Sequence, residues 1–162
     1  MRLLVTALAA AAVIASSAAV TIKADFVLIE KRQHLLTTFR HGVVLHRYRV
    51  ALGRGGLAAK IREGDRRTPE GRYTIDSRNA ASAFHKSLHI SYPSPADRAR
   101  ARAAHVNPGG AIMVHGLPNG QGWLGALHRE VDWTDGCIAV TDAEIEALWD
   151  EVPNGTAVEI RK

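Results

Sequence analysis

The chain holds a single cysteine, Cys137, within Thr134-Asp135-Gly136-Cys137-Ile138-Ala139-Val140, and a histidine, His115, within Ile112-Met113-Val114-His115-Gly116. A thiol that follows a glycine and opens an apolar run, with an imidazole closing another apolar run, has the parts for nucleophilic catalysis. The imidazole takes the proton and the sulfur attacks a carbonyl carbon. A free thiol is mostly protonated at neutral pH and needs a base or a positive neighbour to become a strong nucleophile. His115 is the natural base, because an unperturbed imidazole titrates near the working range. The two stand 22 positions apart, 137 less 115, so the fold rather than a local turn must join them. Gly116 lets backbone approach closely, and its carbonyl is the candidate that orients the second ring nitrogen of His115. Gly136 permits a tight turn, and its amide is the candidate oxyanion donor beside the Cys137 amide. The bland alternative is a buried Cys137 that serves as a small hydrophobe.

Other residues compete for a role. His85 and His89 stand four apart in Phe84-His85-Lys86-Ser87-Leu88-His89. Shared metal ligation there would require a helix, whereas Leu88 to Tyr92 reads as a strand, which leaves a pocket wall near Cys137 or a plain surface position for His85. A zinc site from His115, His128, Asp135 and Cys137 matches no tight ligand spacing. No metal is expected. Trp123 and Trp133 lie between the histidine and the cysteine, and Leu117 to Trp123 is rich in turn formers. Trp123 reads either as an apolar lid that contacts substrate or as core filling.

Strands must carry the two reactive groups. Phe26–Glu30, Leu35–Phe39 and Val43–Leu52 read as a three-strand meander with a turn at His41-Gly42. A glycine-rich loop follows from Gly53 to Gly64, then a turn at Thr68-Pro69-Glu70-Gly71 and a strand over Arg72–Ile75. Ser94-Pro95-Ala96-Asp97 predicts a capped helix reaching about Ala104. Ile112–Val114 reads as a buried strand delivering His115. Thr141-Asp142-Ala143-Glu144 is a capping box, with Ile145, Leu148, Trp149 and Val152 at helical spacing behind it. Ala157–Ile160 is a closing strand. The expected fold is mainly β, a sandwich of mixed strands with a capping helix and one or two short helices.

The 162 residues suit one domain, and 46% hydrophobic with 23% charged residues argues against disorder. Met1-Arg2, the apolar run Leu3–Ile14 and the small residues Ala15–Ala19 read as a signal peptide over 1–19, with the domain over 20–162. The rival reading is a retained membrane anchor, since Leu3–Ile22 is uncharged. Export to a periplasm or cell envelope is expected. An unpaired thiol in such an oxidising compartment is a flag for reactivity. The net charge of +5 suits anionic envelope polymers or peptide carboxylates. Nucleic acid is not an expected partner, because no stacking aromatics alternate with the arginines. A monomer is expected.

With these residues in view, the chain resembles the L,D-transpeptidases of the YkuD type. That family carries His-Gly on one strand and a Ser/Thr-x-Gly-Cys run some twenty residues on, here His115-Gly116 and Thr134-Asp135-Gly136-Cys137. Gly64–Gly71 resembles its Thr-Pro-x-Gly turn, and Val152–Val158 the start of its last strand. The resemblance implies that Cys137 attacks the amide between a diamino acid and a terminal D-residue of a peptidoglycan stem peptide. A thioester forms, and an amine of a second stem peptide resolves it, without a cofactor. Water in place of the amine would make the domain a carboxypeptidase or amidase, and a non-catalytic envelope-binding domain of the same fold is the third reading. Two positions depart from the family. Asp135 stands where histidine is usual, and Ala139 where an arginine is common. A carboxylate beside the nucleophile disfavours the thiolate, so Asp135 either points away or is neutralised by a cation such as Arg129. Asp135 is also a candidate substrate contact.

Overall fold

The computed structural model describes residues 21–162. The leader expected over 1–19 lies outside the described residues. Among the described residues, no helix is long and apolar enough to cross a membrane.

Eight strands form one mixed sheet. Strands β1 (Phe26–Glu30), β2 (Leu35–Arg40) and β3 (Val43–Arg49) are the expected meander. His41 and Gly42 turn it with φ of 50° and 78°, the left-handed pair that a two-residue hairpin turn requires. Next come β4 (Gly71–Ser82), β5 (His85–Ile90), β6 (Met113–His115), β7 (Ile138–Ala139) and β8 (Ala157–Arg161). The spatial order is β3-β2-β1-β8-β4-β5-β6-β7.

The closing strand β8 is therefore internal. It runs parallel to β1, with Val27 beside Val158, and antiparallel to β4, with Tyr73 beside Val158. The long strand β4 joins the two halves of the sheet: Gly71–Thr74 pair with β8, and the stretch from Ile75 pairs with β5. Two isolated bridges, Ala51 to Ala139 and Gly53 to Thr134, tie the chain after β3 to the β7 end. The halves enclose one core, to which Val27, Ile29, Leu88, Ile90, Val114 and Ile138 contribute.

Among the described residues, two α-helices accompany the sheet. α1 (Pro95–Ala103) starts at the Ser94 cap, with Asp97 closing the capping box. α2 (Asp142–Glu151) follows β7 directly, and Thr141 and Glu144 cap it reciprocally. Ile145 and Leu148 are buried as α2 packs on β5. The stretch Gly122–Glu130 is 3-10 turn, broken where Gly125 takes φ 47° and ψ −131°.

Candidate active site

His115 ends β6, and Cys137 immediately precedes β7. The two strands are parallel neighbours, with Val114 opposite Ile138 and His115 opposite Ala139. A parallel pair needs a crossover of a dozen residues or more, and residues 116–137 supply it. The 22-position spacing is thus the length of one crossover. Met113 and His115, two apart on β6, share a face, and Ala111 joins them at the cleft. With Phe84, Trp133, Thr134, Asp135 and Cys137 they line a cleft of about 310 Å³.

The imidazole is fixed. Its Nδ1 lies 2.7 Å from the carbonyl oxygen of Gly116. A carbonyl only accepts, so Nδ1 carries the proton and Nε2 is left as the proton-accepting nitrogen. Gly116 is tightly held, because a Cβ there would lie 2.8 Å from Asp142 Oδ1 and 3.0 Å from Ile145 Cγ2. The ring packs against Phe84, centroids 4.5 Å apart, and meets Trp133 edge-on at 5.8 Å. This burial pushes its pKa below the ordinary histidine value, while the Gly116 carbonyl pulls it partly back.

The thiol is half-buried, free of any disulfide, and donates to the carbonyl oxygen of Ala111 at 3.5 Å. Burial pushes its pKa up, and the Asp135 charge adds to that. The Met113 N–H and the Lys60 ammonium act in the opposite direction. The resting pair is therefore a neutral thiol and a neutral imidazole, an arrangement suited to proton transfer during attack rather than to a standing thiolate.

Thr134 shapes the turn before the thiol. Its hydroxyl donates to the Cys137 carbonyl oxygen at 2.7 Å and accepts the Gly136 N–H at 3.1 Å. That overturns the expectation for Gly136, since a donor already bonded to Thr134 is not free for an oxyanion. Gly136 is required for another reason. Its φ is +129°, and a Cβ would sit 2.7 Å from the Arg67 carbonyl oxygen.

The remaining expectations divide. Asp135 lines the cleft, but its neutralising partner is not Arg129, which is bonded to Glu144. Arg54 meets Asp135 Oδ1 through Nη2 at 2.9 Å and Nε at 3.2 Å, and Arg66 Nε approaches to 3.8 Å. Trp123 is 78% exposed and lies outside the cleft lining, because the 3-10 turn carries it toward solvent, and Trp133 takes the wall position instead. His85 also stands outside the lining, its Nε2 bonded to Glu146 at 2.7 Å, and its neighbour Phe84 supplies the wall. His89 bonds Asp76 at 2.6 Å, so the two histidines serve separate carboxylates. Ala139 is fully buried and exchanges backbone hydrogen bonds with Ala51. Sequence reasoning missed Phe84, Ala111, Met113, Arg54 and Arg66. The alternation of 113 and 115 was a readable signal, but no local pattern marked the others.

The mixed sheet thus brings an oriented histidine and a thiol to one cleft. The family model described as the YkuD L,D-transpeptidase catalytic domain matches residues 24–160, and the chain belongs to that family. Over 75 residues it is 33% identical to YafK of Escherichia coli (strain K12), a match that covers 45% of this chain and 28% of YafK. The fold is similar to that of the helical cell shape determining protein Pgp2 from Campylobacter jejuni, at TM-score 0.63 and 20% identity over 87% of this chain and 48% of that one. Bd1075 of Bdellovibrio bacteriovorus matches at TM-score 0.60 and 25% identity, over 86% of this chain and 48% of Bd1075. The chain thus spans about half or less of the length of these relatives.

Proposed function

We propose that the domain is an exported cysteine acyltransferase of the cell envelope that works on peptidoglycan stem peptides. The observation that carries the reading is the cleft shared by Cys137 and His115, with Nδ1 committed to Gly116. Cys137 Sγ attacks the carbonyl carbon of the donor amide while its proton passes to His115 Nε2. The tetrahedral oxyanion takes the Cys137 N–H as donor, since the Gly136 N–H is engaged. Collapse breaks the C–N bond, His115 returns the proton to the departing amine of the D-residue, and a thioester remains. An amine of a second stem peptide then attacks the thioester carbonyl as His115 takes its proton; the C–S bond breaks, the proton returns to the Cys137 sulfur, and a cross-link forms. These steps require no metal or organic cofactor.

Purified protein incubated with defined disaccharide tetrapeptides, beside Cys137→Ala, tests the reading by mass spectrometry. Cross-linked dimers and a released D-residue from wild type alone are the expected result. Trimmed monomers without dimers would make the domain a stem-peptide hydrolase. No product, together with a Cys137 that a carbapenem fails to acylate, would leave an envelope-binding domain and overturn the enzymatic reading.

A further inference from the structure

We propose that a cationic groove leaving the Cys137 cleft past Asp135 seats a carboxylate of the substrate, with Arg54 and Arg66 as its ligands and Asp135 as the counterion it displaces. The inference rests on the stem-peptide reading above. Three cavities run into one another. Asp135 lines both the cleft and a neighbouring cavity of about 370 Å³. Gly64 and Arg66 are common to that cavity and to a third of about 450 Å³, whose walls carry Arg54, Arg62, Arg66 and Arg67.

The lining keeps an excess of cations, Arg54, Lys60, Arg62, Arg66 and Arg67, over three carboxylates, of which Glu63 lies away from Arg54 and accepts from the Asn107 amide at 2.8 Å. Asp65 is consumed internally. Its carboxylate accepts the N–H groups of Ile61, Arg62 and Arg67 and meets the Lys60 ammonium at 2.9 Å. Burial alone would raise its pKa, but those bonds prevail and hold it at about 2. Asp135 then stands with a single charge between two guanidiniums. The Arg54 and Asp135 side chains are 48% and 74% exposed, and an exposed ion pair of this kind exchanges readily with an incoming anion. Arg54 directs Nε and Nη2 at one oxygen of Asp135, and the same guanidinium edge can pair with both oxygens of an incoming carboxylate.

The platform beneath the guanidiniums is rigid. The Gly55 N–H bonds the Arg66 carbonyl at 2.8 Å. A Cβ on Gly53 would lie 2.3 Å from the Arg66 carbonyl oxygen, and one on Gly55 would lie 2.2 Å from that of Asp65. Backbone packed this closely fixes Arg54 and Arg66 side by side. Ala139, apolar and fully buried on the strand that carries the nucleophile, offers no competing cation.

Two carboxylates on a stem peptide have the required chemistry: the one ending the donor and the free one of its diamino acid. The test is calorimetric binding of a tetrapeptide to Cys137→Ala, beside two analogues in which one or the other carboxylate is amidated. At least tenfold weaker binding of one analogue is expected, and it names the carboxylate. Arg54→Gln with Arg66→Gln, in the same background, should bind the parent peptide as weakly and show no further loss on amidation, while Asp135→Asn should tighten binding. Both arginines are exposed, so these variants keep the fold, which a thermal melt checks. Equal binding of all three peptides, or unchanged binding by the double variant, overturns the groove. If wild type processes the parent peptide in that case, the function stands and the groove alone falls. Arginine-dependent binding without turnover keeps the groove and removes the acyl transfer, and a parent peptide that neither binds nor reacts removes both.

Discussion

The Thr134 hydroxyl bridges the turn ahead of the thiol, donating to the carbonyl oxygen of Cys137 at 2.7 Å while it accepts the Gly136 N–H at 3.1 Å. Thr134 is itself buried, so no water replaces these bonds when the hydroxyl is removed. Thr134→Val is expected to lose about 1–3 kcal/mol in a urea melt, the cost of leaving buried polar groups unpaired. Thr134→Ser keeps the oxygen and should recover most of it. Stability equal to wild type in the valine variant would deny the hydroxyl its role in holding the turn.

Gly116 has no room for a side chain. Gly116→Ala would drive a Cβ against Asp142 Oδ1 and Ile145 Cγ2. Asp142 Oδ1 also accepts the Leu117 N–H at 2.8 Å, so the collision disturbs the segment that carries the orienting carbonyl. A loss of about 1–3 kcal/mol is expected from overpacking. The His115 Nδ1 proton, followed by NMR, should exchange faster in the variant than in wild type. An unshifted melting temperature with an unchanged proton signal would contradict this account.

Thiol reactivity carries a definite sign. Burial and Asp135 raise the Cys137 pKa, so alkylation by iodoacetamide should show its midpoint above the ordinary thiol value of roughly 8.5. Asp135→Asn removes one of the raising influences and should move the midpoint down, although Arg54 and Arg66 beside Asp135 already offset part of its charge. A wild-type midpoint near 5 would instead reveal a standing thiolate–imidazolium pair.

Acid stability should fall in a window set by two buried histidines. His128 is held at about 4, chiefly by burial and next by the Arg129 charge, and His115 is lowered by burial as well. Both depressed imidazoles bind protons more readily in the unfolded chain, at an ordinary value of about 6.5. Unfolding then takes up protons, so stability is full above roughly pH 6.5 and declines as pH drops toward the folded values. Protonation of His128 also removes the acceptor for the Trp133 indole N–H, 3.3 Å from its Nδ1, and Trp133 is a wall of the cleft. NMR titration should give His128 a midpoint of about 4. A midpoint above the ordinary value, with stability rising on acidification, would reverse the argument.

Much of this fold was legible along the chain. The meander, the caps of both helices and the strand that delivers His115 stand where local rules put them, because turn residues, caps and apolar alternation act within a few positions. The place of β8 was not legible. Its pattern announces a strand, but nothing local says that it inserts between β1 and β4 rather than at an edge. The site divides in the same way. His115, Gly116 and Cys137 were readable from type and spacing, whereas Phe84 reaches the imidazole from a hairpin some thirty positions upstream.

From the order of residues alone came the reactive pair, the glycine that turns the chain before the thiol, and the mainly β character of the domain. Each depends on chemistry or backbone freedom belonging to a residue and its immediate neighbours. Only the folded molecule decided what surrounds that pair: which amide is already engaged, that Trp133 rather than Trp123 forms the wall, and that Arg54 and Arg66 rather than Arg129 answer Asp135. Those outcomes depend on distances between segments far apart in the chain, set when the two halves of the sheet close on one core.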